Sequence, residues 1–299
     1  MAERSLIEGP GGRALEVETA GPTDGAVVLL QLGTPCAGRL SRAIVAAGEE
    51  RGLRHVTYSR PGYARSTRVA GRGVSDCVAD VAAVADALGV RKFYTVGLSG
   101  GGPHALATTA HLGDRVLAGA VMGSVAPQDA EGLDWSAGMA PENLAEFGAA
   151  REGEDALLAF LEREAQGMRG ATADQLRDAL GELISPPDRD AMTGEGAAFL
   201  VDCMQGALST GVWGWFDDDV AFERDWGFSV SVIDRPFTVW HGEQDTFVPP
   251  SHGRWLAERI PGARLQLEED DGHLSLLLGR YGDVLDSLLP EETERGAYF

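Results

Sequence analysis

Lysine is almost missing from this chain. Lys92 stands alone among 25 basic residues, against 46 acidic ones in 299 positions, giving a net charge of −21. A surface this acidic repels polyanions, which excludes nucleic acid and anionic membranes as partners. The acidic residues are spread along the chain and form no tail, so the charge reads first as a source of solubility. Arginine in place of lysine, with abundant alanine and 40 glycines, points to a GC-rich bacterial genome. Cysteine is scarce too. Cys36, Cys77 and Cys203 are odd in number and widely spaced, with no C-x-x-C pair and no histidine set beside them, which excludes a disulfide framework and a zinc site. Long apolar runs are also lacking: none nears the ~20 residues that span a bilayer, and the opening MAERSLIEGPGG has no signal-peptide core. The expectation is a cytoplasmic protein, monomer or homodimer, acting on a small neutral or apolar molecule without metal or organic cofactor.

What is present is an alternation of elements. Ala14–Thr19, Val27–Leu32, His55–Tyr58, Phe93–Gly97 and Val116–Met122 read as strands. Helical patterns lie between them, the clearest being Val74, Val78, Val81, Ala85 and Leu88, closed by Gly89. Strand–helix alternation predicts an α/β fold, a mostly parallel sheet with helices on both faces. From residue 124 to 235 the strands give way to helical spacing. Leu157, Phe160, Leu161 and Met168 form one stripe, Thr172 with Gln175 a capping box, and Ser185-Pro186-Pro187 a stop; Phe199, Leu200, Cys203, Met204, Ala207 and Leu208 form the next stripe. The alternation returns with Phe237–Trp240, a helix over Ser251–Ile260, a strand at Arg264–Leu267 and a last helix through Leu285 and Leu289. The division expected is a core at 1–123 and 236–299 with a helical cap inserted at 124–235.

The segment that carries chemistry is Val96-Gly97-Leu98-Ser99-Gly100-Gly101-Gly102-Pro103: G-x-S-x-G after an apolar strand and ahead of a helical pattern. A serine on so tight a turn adopts strained backbone angles, which its glycine neighbours permit, and the turn presents its hydroxyl. The helix behind it aims N–H groups at any oxyanion formed there. The alternative is a phosphate-binding or structural glycine turn. A serine nucleophile needs an imidazole to take its proton and a carboxylate to hold the imidazole. Asp245, Asp270, Asp271 and Glu243 are candidate acids, with Asp245 favoured by its place after a strand. Of the histidines, His273 competes with His55, His104, His111, His241 and His252, and His241 is its first rival.

On these residues the chain resembles the α/β-hydrolase fold family over nearly its whole length. The resemblance implies the order Ser, Asp, His, each on its own loop, which falls on Ser99, on Asp245 within HGEQDTFVP, and on His273 within DDGHL. It also implies an oxyanion hole from the backbone N–H groups of Gly100 and Thr34, the latter in Gln31-Leu32-Gly33-Thr34-Pro35. Leu32 stands where the family commonly has histidine. Tyr58-Ser59-Arg60-Pro61-Gly62-Tyr63-Ala64-Arg65-Ser66 is similar to the family's next loop, with Ser59 for the usual aspartate and Ala64 for the second glycine; it is read as structural, with Arg60 near the site. Cys36 reads as a small buried filler.

The activity expected is hydrolysis of a small ester, thioester or amide through an acyl-enzyme on Ser99. The alternatives are an aminopeptidase similar to proline iminopeptidases, with a cap acid (Glu142, Glu146, Glu162 or Glu195) holding a free amine, carbon–carbon bond cleavage, lyase or acyltransferase chemistry on the same residues, and a ligand-binding receptor of the same fold. The cap is rich in aromatic residues. Trp135, Trp213, Trp215 and Phe216 are the expected pocket lining, because Gly-Val-Trp-Gly-Trp-Phe is less regular than a helix core.

Overall fold

Strand segments made of Val, Leu, Ala and Phe with no polar face cannot lie at a surface, so they pair side by side with both faces covered. The computed structural model describes residues 2–290; residues 291–299 of the expected core lie outside them. The strands are β1 (Glu3–Glu8), β2 (Ala14–Ala20), β3 (Ala26–Gln31), β4 (Leu53–Tyr58), β5 (Phe93–Leu98), β6 (Val116–Met122), β7 (Phe237–Gly242) and β8 (Arg264–Glu268). They form one eight-stranded sheet in the order β1-β2-β4-β3-β5-β6-β7-β8. β1 and β4 run antiparallel to β2, and every other pairing is parallel. Each strand expected from the sequence is present, with ends shifted by two residues or fewer. β1 was not anticipated: it is an exposed, charged edge with no apolar alternation to announce it.

The helices are α1 (Arg42–Glu49), α2 (Cys77–Ala87), α3 (Gly102–His111), α4 (Pro141–Glu152), α5 (Glu154–Met168), α6 (Ala173–Ala179), α7 (Pro186–Ala191), α8 (Gly194–Leu208), α9 (Trp213–Phe222), α10 (Pro250–Arg259), α11 (His273–Gly279) and α12 (Tyr281–Leu288). Strand alternation sorts the core into faces. Val28 and Leu30 of β3 pack with Ile44 of α1 and Val284, Leu285 and Leu288 of α12. Val27 and Leu29 point the other way, onto Val81 and Val84 of α2. α3 and α10 cover the same side farther along, through Leu106 and Leu256 against Val121 and Val239. Among the described residues no helix is long and apolar enough to cross a membrane.

Between β6 and β7 no residue joins the sheet, and α4 to α9 occupy this stretch. Thr172 and Gln175 form the expected capping box of α6. The helix before Ser185-Pro186-Pro187 stops ahead of it as expected, with α6 ending at Ala179 and a 3-10 turn at Gly181–Leu183; the two prolines then open α7 with Ser185 at its N-cap, where a missing N–H costs nothing. One expectation needs correcting. The Trp213–Phe216 segment is not irregular but the first turn of α9. Its glycine answers to packing, since a Cβ on Gly214 would lie 2.5 Å from the Tyr63 ring.

Candidate active site

β5 delivers Ser99 to the C-terminal end of the sheet with φ +51°, one of two left-handed non-glycine residues among those described. The other is Ala64 (φ +47°), at the position where the resemblance expects glycine. A left-handed L-residue costs roughly 1–2 kcal/mol; such strain concentrates at functional turns. The surrounding glycines are required sterically. A Cβ on Gly97 would sit 2.6 Å from the Gly101 carbonyl oxygen, one on Gly101 would strike the Gln31 carbonyl, and one on Gly100 the Thr34 hydroxyl. Ser99–Gly101 form a short 3-10 turn that leads into α3, so the Gly100 amide belongs to the N-terminal end of a helix.

Asp245, three residues past β7, and His273, at the start of α11, meet beyond the C-terminal ends of the neighbouring parallel strands β7 and β8: Nδ1 of His273 donates to Oδ2 of Asp245 at 2.7 Å. The other Asp245 oxygen accepts the Val248 N–H at 2.8 Å. Burial alone raises the Asp245 carboxyl, but the His273 charge and the bonds from His241 and His273 outweigh it and hold it at about 2. Burial alone lowers His273, and Asp245, helped by Asp188, more than reverses this, leaving the imidazole above its ordinary value. Phe247 stacks on the imidazole at 4.6 Å between centroids and 20° between planes. Gly123, at the end of β6, backs the pair: a Cβ there would come within 2.9 Å of the His273 ring and 3.2 Å of Asp245 Oδ2. Ser99 and His273 line one cavity, which joins the three residues expected from sequence at one place.

The rivals are occupied elsewhere. His241 lies 3.4 Å from Asp245 but places Nε2 2.7 Å from the Val248 carbonyl. His55 bonds the Tyr281 hydroxyl, and His252 lies between Ala126 N–H and the Trp135 carbonyl. Burial lowers His55, His104 and His252 to about 4 each, so they are neutral packing groups. His111 is exposed. Among the acids, Glu243 pairs with Arg254 and Asp271 with Arg280, while Asp270 is exposed.

The Leu32–Thr34 loop lies against the Ser99 turn, and the Thr34 amide nitrogen is 3.1 Å from where a Gly100 Cβ would be. Arg60 fastens the loop. Its guanidinium donates to the Leu32 carbonyl (2.5 Å), the Gly33 carbonyl (3.0 Å) and Thr34 Oγ1 (3.1 Å). Behind it sits Asp218 of α9, fully buried, accepting from Arg60 (2.6 Å), Arg72 (2.6 Å), Tyr63 (2.8 Å) and Thr34 Oγ1 (2.6 Å). Burial would raise this carboxyl, but Arg60 and Arg72 drive it well below the ordinary carboxylate range. With Leu32 in the place of a supporting histidine, Arg60 and Asp218 support the loop instead. Sequence reading placed Arg60 near the site and missed Asp218, which looks like one member of a solvated Asp217-Asp218-Asp219 run. All three are buried, at 1%, 0% and 1% exposure.

Asp188 of α7 was missed as well. It is wholly buried and accepts the N–H groups of His273 (3.0 Å), Leu274 (2.8 Å) and Ser275 (2.8 Å) and the Ser275 hydroxyl (3.0 Å). A helix leaves its first N–H groups without internal partners, and here a carboxylate from α7 satisfies them while adding negative charge behind the imidazole.

Two cavities open on Ser99, with about 700 and 670 Å³ of atom-free space, mouths included. The first is mostly apolar, with Leu176, Leu180, Met192, Phe199, Leu200 and Leu277 in its wall together with Thr34, Ser99 and His273. Cys36, expected as a buried filler, is partly exposed there with Cys203 beside it. The second contains Thr34, Gly100, Asn143, Glu146, Trp215 and Asp219. Of the expected lining residues only Trp215 is in either wall. Trp135 is a correction: its indole N–H bonds the Ala126 carbonyl at 2.8 Å and its ring packs edge-on behind Phe147. Trp213 holds the Arg68 guanidinium on its face at 3.9 Å, and Phe216 is buried in the cluster around Tyr63 and Leu157. Among the acids expected to hold an amine, Glu146 is in a cavity wall, whereas Glu162 and Glu195 are exposed. Among the described residues no cluster of ligating side chains suits a metal ion.

The sequence matches the α/β-hydrolase fold family over residues 27–279. The chain belongs to that family. It is similar to the pimeloyl-[acyl-carrier protein] methyl ester esterase of Aromatoleum aromaticum, 31% identical over 80 residues, a stretch spanning 27% of this chain and 30% of that protein. The chain therefore matches less than a third of the curated relative's length. In solved structures it is similar to a hydrolase from Pseudomonas aeruginosa (TM-score 0.71, 22% identity, 96% of this chain and 99% of that one). It is also similar to an enol-lactonase from Burkholderia xenovorans (TM-score 0.69, 20% identity, 95% and 99%) and to an esterase from Exiguobacterium antarcticum (TM-score 0.68, 19% identity, 95% and 98%). At these identities the likeness is one of fold.

Proposed function

We propose that the protein is a serine hydrolase acting on a small ester, thioester or amide. The observation that carries this reading is the Asp245–His273 hydrogen bond of 2.7 Å on the wall of a cavity that also holds Ser99 at φ +51°. Nδ1 of His273 is committed to Asp245, which leaves Nε2 to take the Ser99 proton as Oγ bonds to the substrate carbonyl carbon. The resulting oxyanion is stabilised by the Thr34 and Gly100 N–H groups, held in place before reaction by Arg60, Asp218 and the helix behind Gly100. Collapse breaks the bond to the leaving group, which departs with the proton from His273. Water, deprotonated by His273, then frees the acid and restores Ser99. The esterase and lactonase names among the similar proteins agree with acyl transfer and are the reason an ester stands first among the substrates.

The helical stretch from residue 124 to 235 acts in this reading as the cap. It supplies about half of the apolar wall of the first cavity, so it helps select the substrate and screens the reaction from bulk water. Three unpaired thiols fit a reducing compartment such as the cytoplasm. A panel of nitrophenyl esters of increasing acyl length, run beside prolyl nitroanilide, tests the class of reaction. Esters should turn over, with loss of at least ~10³ in kcat in Ser99→Ala. Cleavage of prolyl nitroanilide alone, or turnover undiminished in the variant, overturns the reading.

A further inference from the structure

Cys36 and Cys203 are far apart in the chain and belong to different elements, the first to the loop just past Thr34 and Pro35, the second to the latter half of α8. The fold lays these elements side by side. The Ala37 N–H donates to the Cys203 carbonyl at 3.0 Å, and a Cβ on Gly206, about one turn further along α8, would lie 3.1 Å from the Ala37 Cβ. Both thiols stand in the wall of the first cavity, the one that holds Ser99 and His273, and they hydrogen-bond to each other. Cys36 is partly exposed there, and Cys203 is buried behind it.

The two sulfurs are not equivalent. The bond with Cys203 lowers the Cys36 thiol below its ordinary value, with Arg60 assisting and burial and Asp218 opposing. Burial first, and then the bond with Cys36, pushes Cys203 well above that value. Cys36 is therefore the sulfur that carries thiolate, and Cys203 is a protonated thiol in contact with it, an attacking cysteine beside a resolving one. Cys77 has none of these features. It is buried on α2, donates to the His104 carbonyl, and is pushed up to about 12 by burial.

We propose that Cys36 and Cys203 are a modification site, a thiol pair that a peroxide oxidises to a disulfide, and that this bond regulates turnover at Ser99. The Cys36 thiolate attacks one peroxide oxygen; the S–O bond forms as the O–O bond breaks, and the departing hydroxide takes up the proton Cys36 had released. Cys203 then gives up its proton and its sulfur attacks that of Cys36; the S–S bond forms, the S–O bond breaks, and the hydroxide leaves with that proton as a second water. Two thiols lose two electrons and two protons, and one peroxide becomes two waters. Added thiol reverses the step by exchange. In a reducing compartment such a bond is transient and serves sensing, not folding. Once formed, it ties α8, which carries Phe199, Leu200 and Met204 of the cavity wall, to the loop that carries Thr34, so the two can no longer part to pass substrate or product. The effect on turnover rests on the serine-hydrolase reading, whereas the bond itself does not.

The test treats reduced wild type with hydrogen peroxide, alkylates the thiols that remain free, and maps peptides without reduction. The expected product is one disulfide, joining the Cys36 and Cys203 peptides, with Cys77 alkylated. In the same sample kcat/KM on the best nitrophenyl ester should fall roughly tenfold, and dithiothreitol should restore the free thiols and the turnover together. Cys36→Ser, measured against its own untreated form, should show no loss that dithiothreitol restores. In Cys203→Ser the Cys36 sulfenic acid has no thiol to resolve it and should be captured by dimedone. A disulfide through Cys77, or peroxide treatment that leaves Cys36 and Cys203 unlinked, overturns the site. A Cys36–Cys203 bond with turnover unchanged, or a loss that dithiothreitol does not reverse, such as oxidation of Met192 or Met204 in the same wall would give, overturns the regulatory role. If reduced wild type cleaves no ester, the serine reading falls and the regulatory role with it, while the peptide map still decides the disulfide. The map on wild type stands even where a variant fails to fold.

Discussion

Replacing Asp188 by alanine should cost more than any ordinary surface substitution, because the side chain serves four buried donors at once. Three are consecutive backbone N–H groups at the start of α11 and one is the Ser275 hydroxyl. A hydrogen bond to a charged group is worth ~1.5–3 kcal/mol, and the terms do not add, since water entering the vacated space would satisfy some of the donors. The expected loss is ~3–5 kcal/mol, the range for removing one partner from a buried charged cluster. Asparagine is not a mild change here. Oδ2 accepts from His273 and Oδ1 from Leu274 and Ser275, so whichever way the amide turns, its NH2 faces an N–H. The second consequence is electrostatic. Asp188 contributes to raising His273, so its loss lowers the imidazole pKa and moves the acid limb of kcat/KM to lower pH, since the unprotonated base is the active form. Urea unfolding and a pH profile of kcat/KM on wild type, Asp188→Ala and Asp188→Asn measure both effects. A purely structural role would shift the urea midpoint and leave the acid limb in place. A loss under ~1 kcal/mol together with an unmoved acid limb would refute the reasoning that assigns these donors and this charge to Asp188.

Other outcomes follow from the same structure. Asp218→Asn leaves the Arg60 and Arg72 guanidinium groups buried without a counter-charge and should destabilise the fold by ~3–5 kcal/mol, with kcat falling because the Thr34 loop loses its anchor; denaturation and ester turnover report this, and a variant with wild-type values of both would remove Asp218 from the account. Ser99→Gly relieves the left-handed strain at φ +51° and should gain up to ~1 kcal/mol after the entropy cost of glycine while abolishing turnover; a loss of stability would mean the turn is not strained. The histidines buried at about 4 in the fold, His55, His104 and His252, bind protons in the unfolded chain near the ordinary value of 6.5, so stability should begin to fall as pH drops below about 6.5 and continue toward about 4. The limit is ~3 kcal/mol per histidine at ~1.4 kcal/mol per pH unit. Flat urea midpoints between pH 7 and 4.5 would contradict it.

Much of this molecule is legible locally. Strands β3, β5, β6 and β7 are mostly apolar runs and β2, β4 and β8 alternate apolar with polar residues, and the glycines around Ser99 report a backbone that other residues would obstruct, so neither needs knowledge of a distant contact. The same holds for Asp245 and His273, which sit on short polar loops directly after strands. What escaped reading acts across the chain. Asp188 meets residues 85 to 87 positions away, and Asp218 meets Arg60 at a separation of 158. No period or motif announces a carboxylate whose partners come from another element. The Asp217-Asp218-Asp219 run has the composition of a solvated face, yet it lies in a helix that opens Trp-Gly-Trp-Phe, and acids among so many aromatic residues were the one available hint that they are buried. The tryptophan readings failed for the complementary reason: composition places aromatic residues in the helical stretch between β6 and β7 without saying which side of a helix meets the cavity. Trp215 and Trp213 are two positions apart on α9, and only the former reaches it.

The central claim is that Ser99 forms a covalent bond to the acyl group, and peptide mapping after reaction with a fluorophosphonate probe tests it most directly. The account predicts a single adduct, carried by the peptide that contains Ser99, formed faster as pH rises through the His273 titration and absent in Ser99→Ala. An unmodified wild-type protein, or an adduct on another residue that persists in Ser99→Ala, would contradict it.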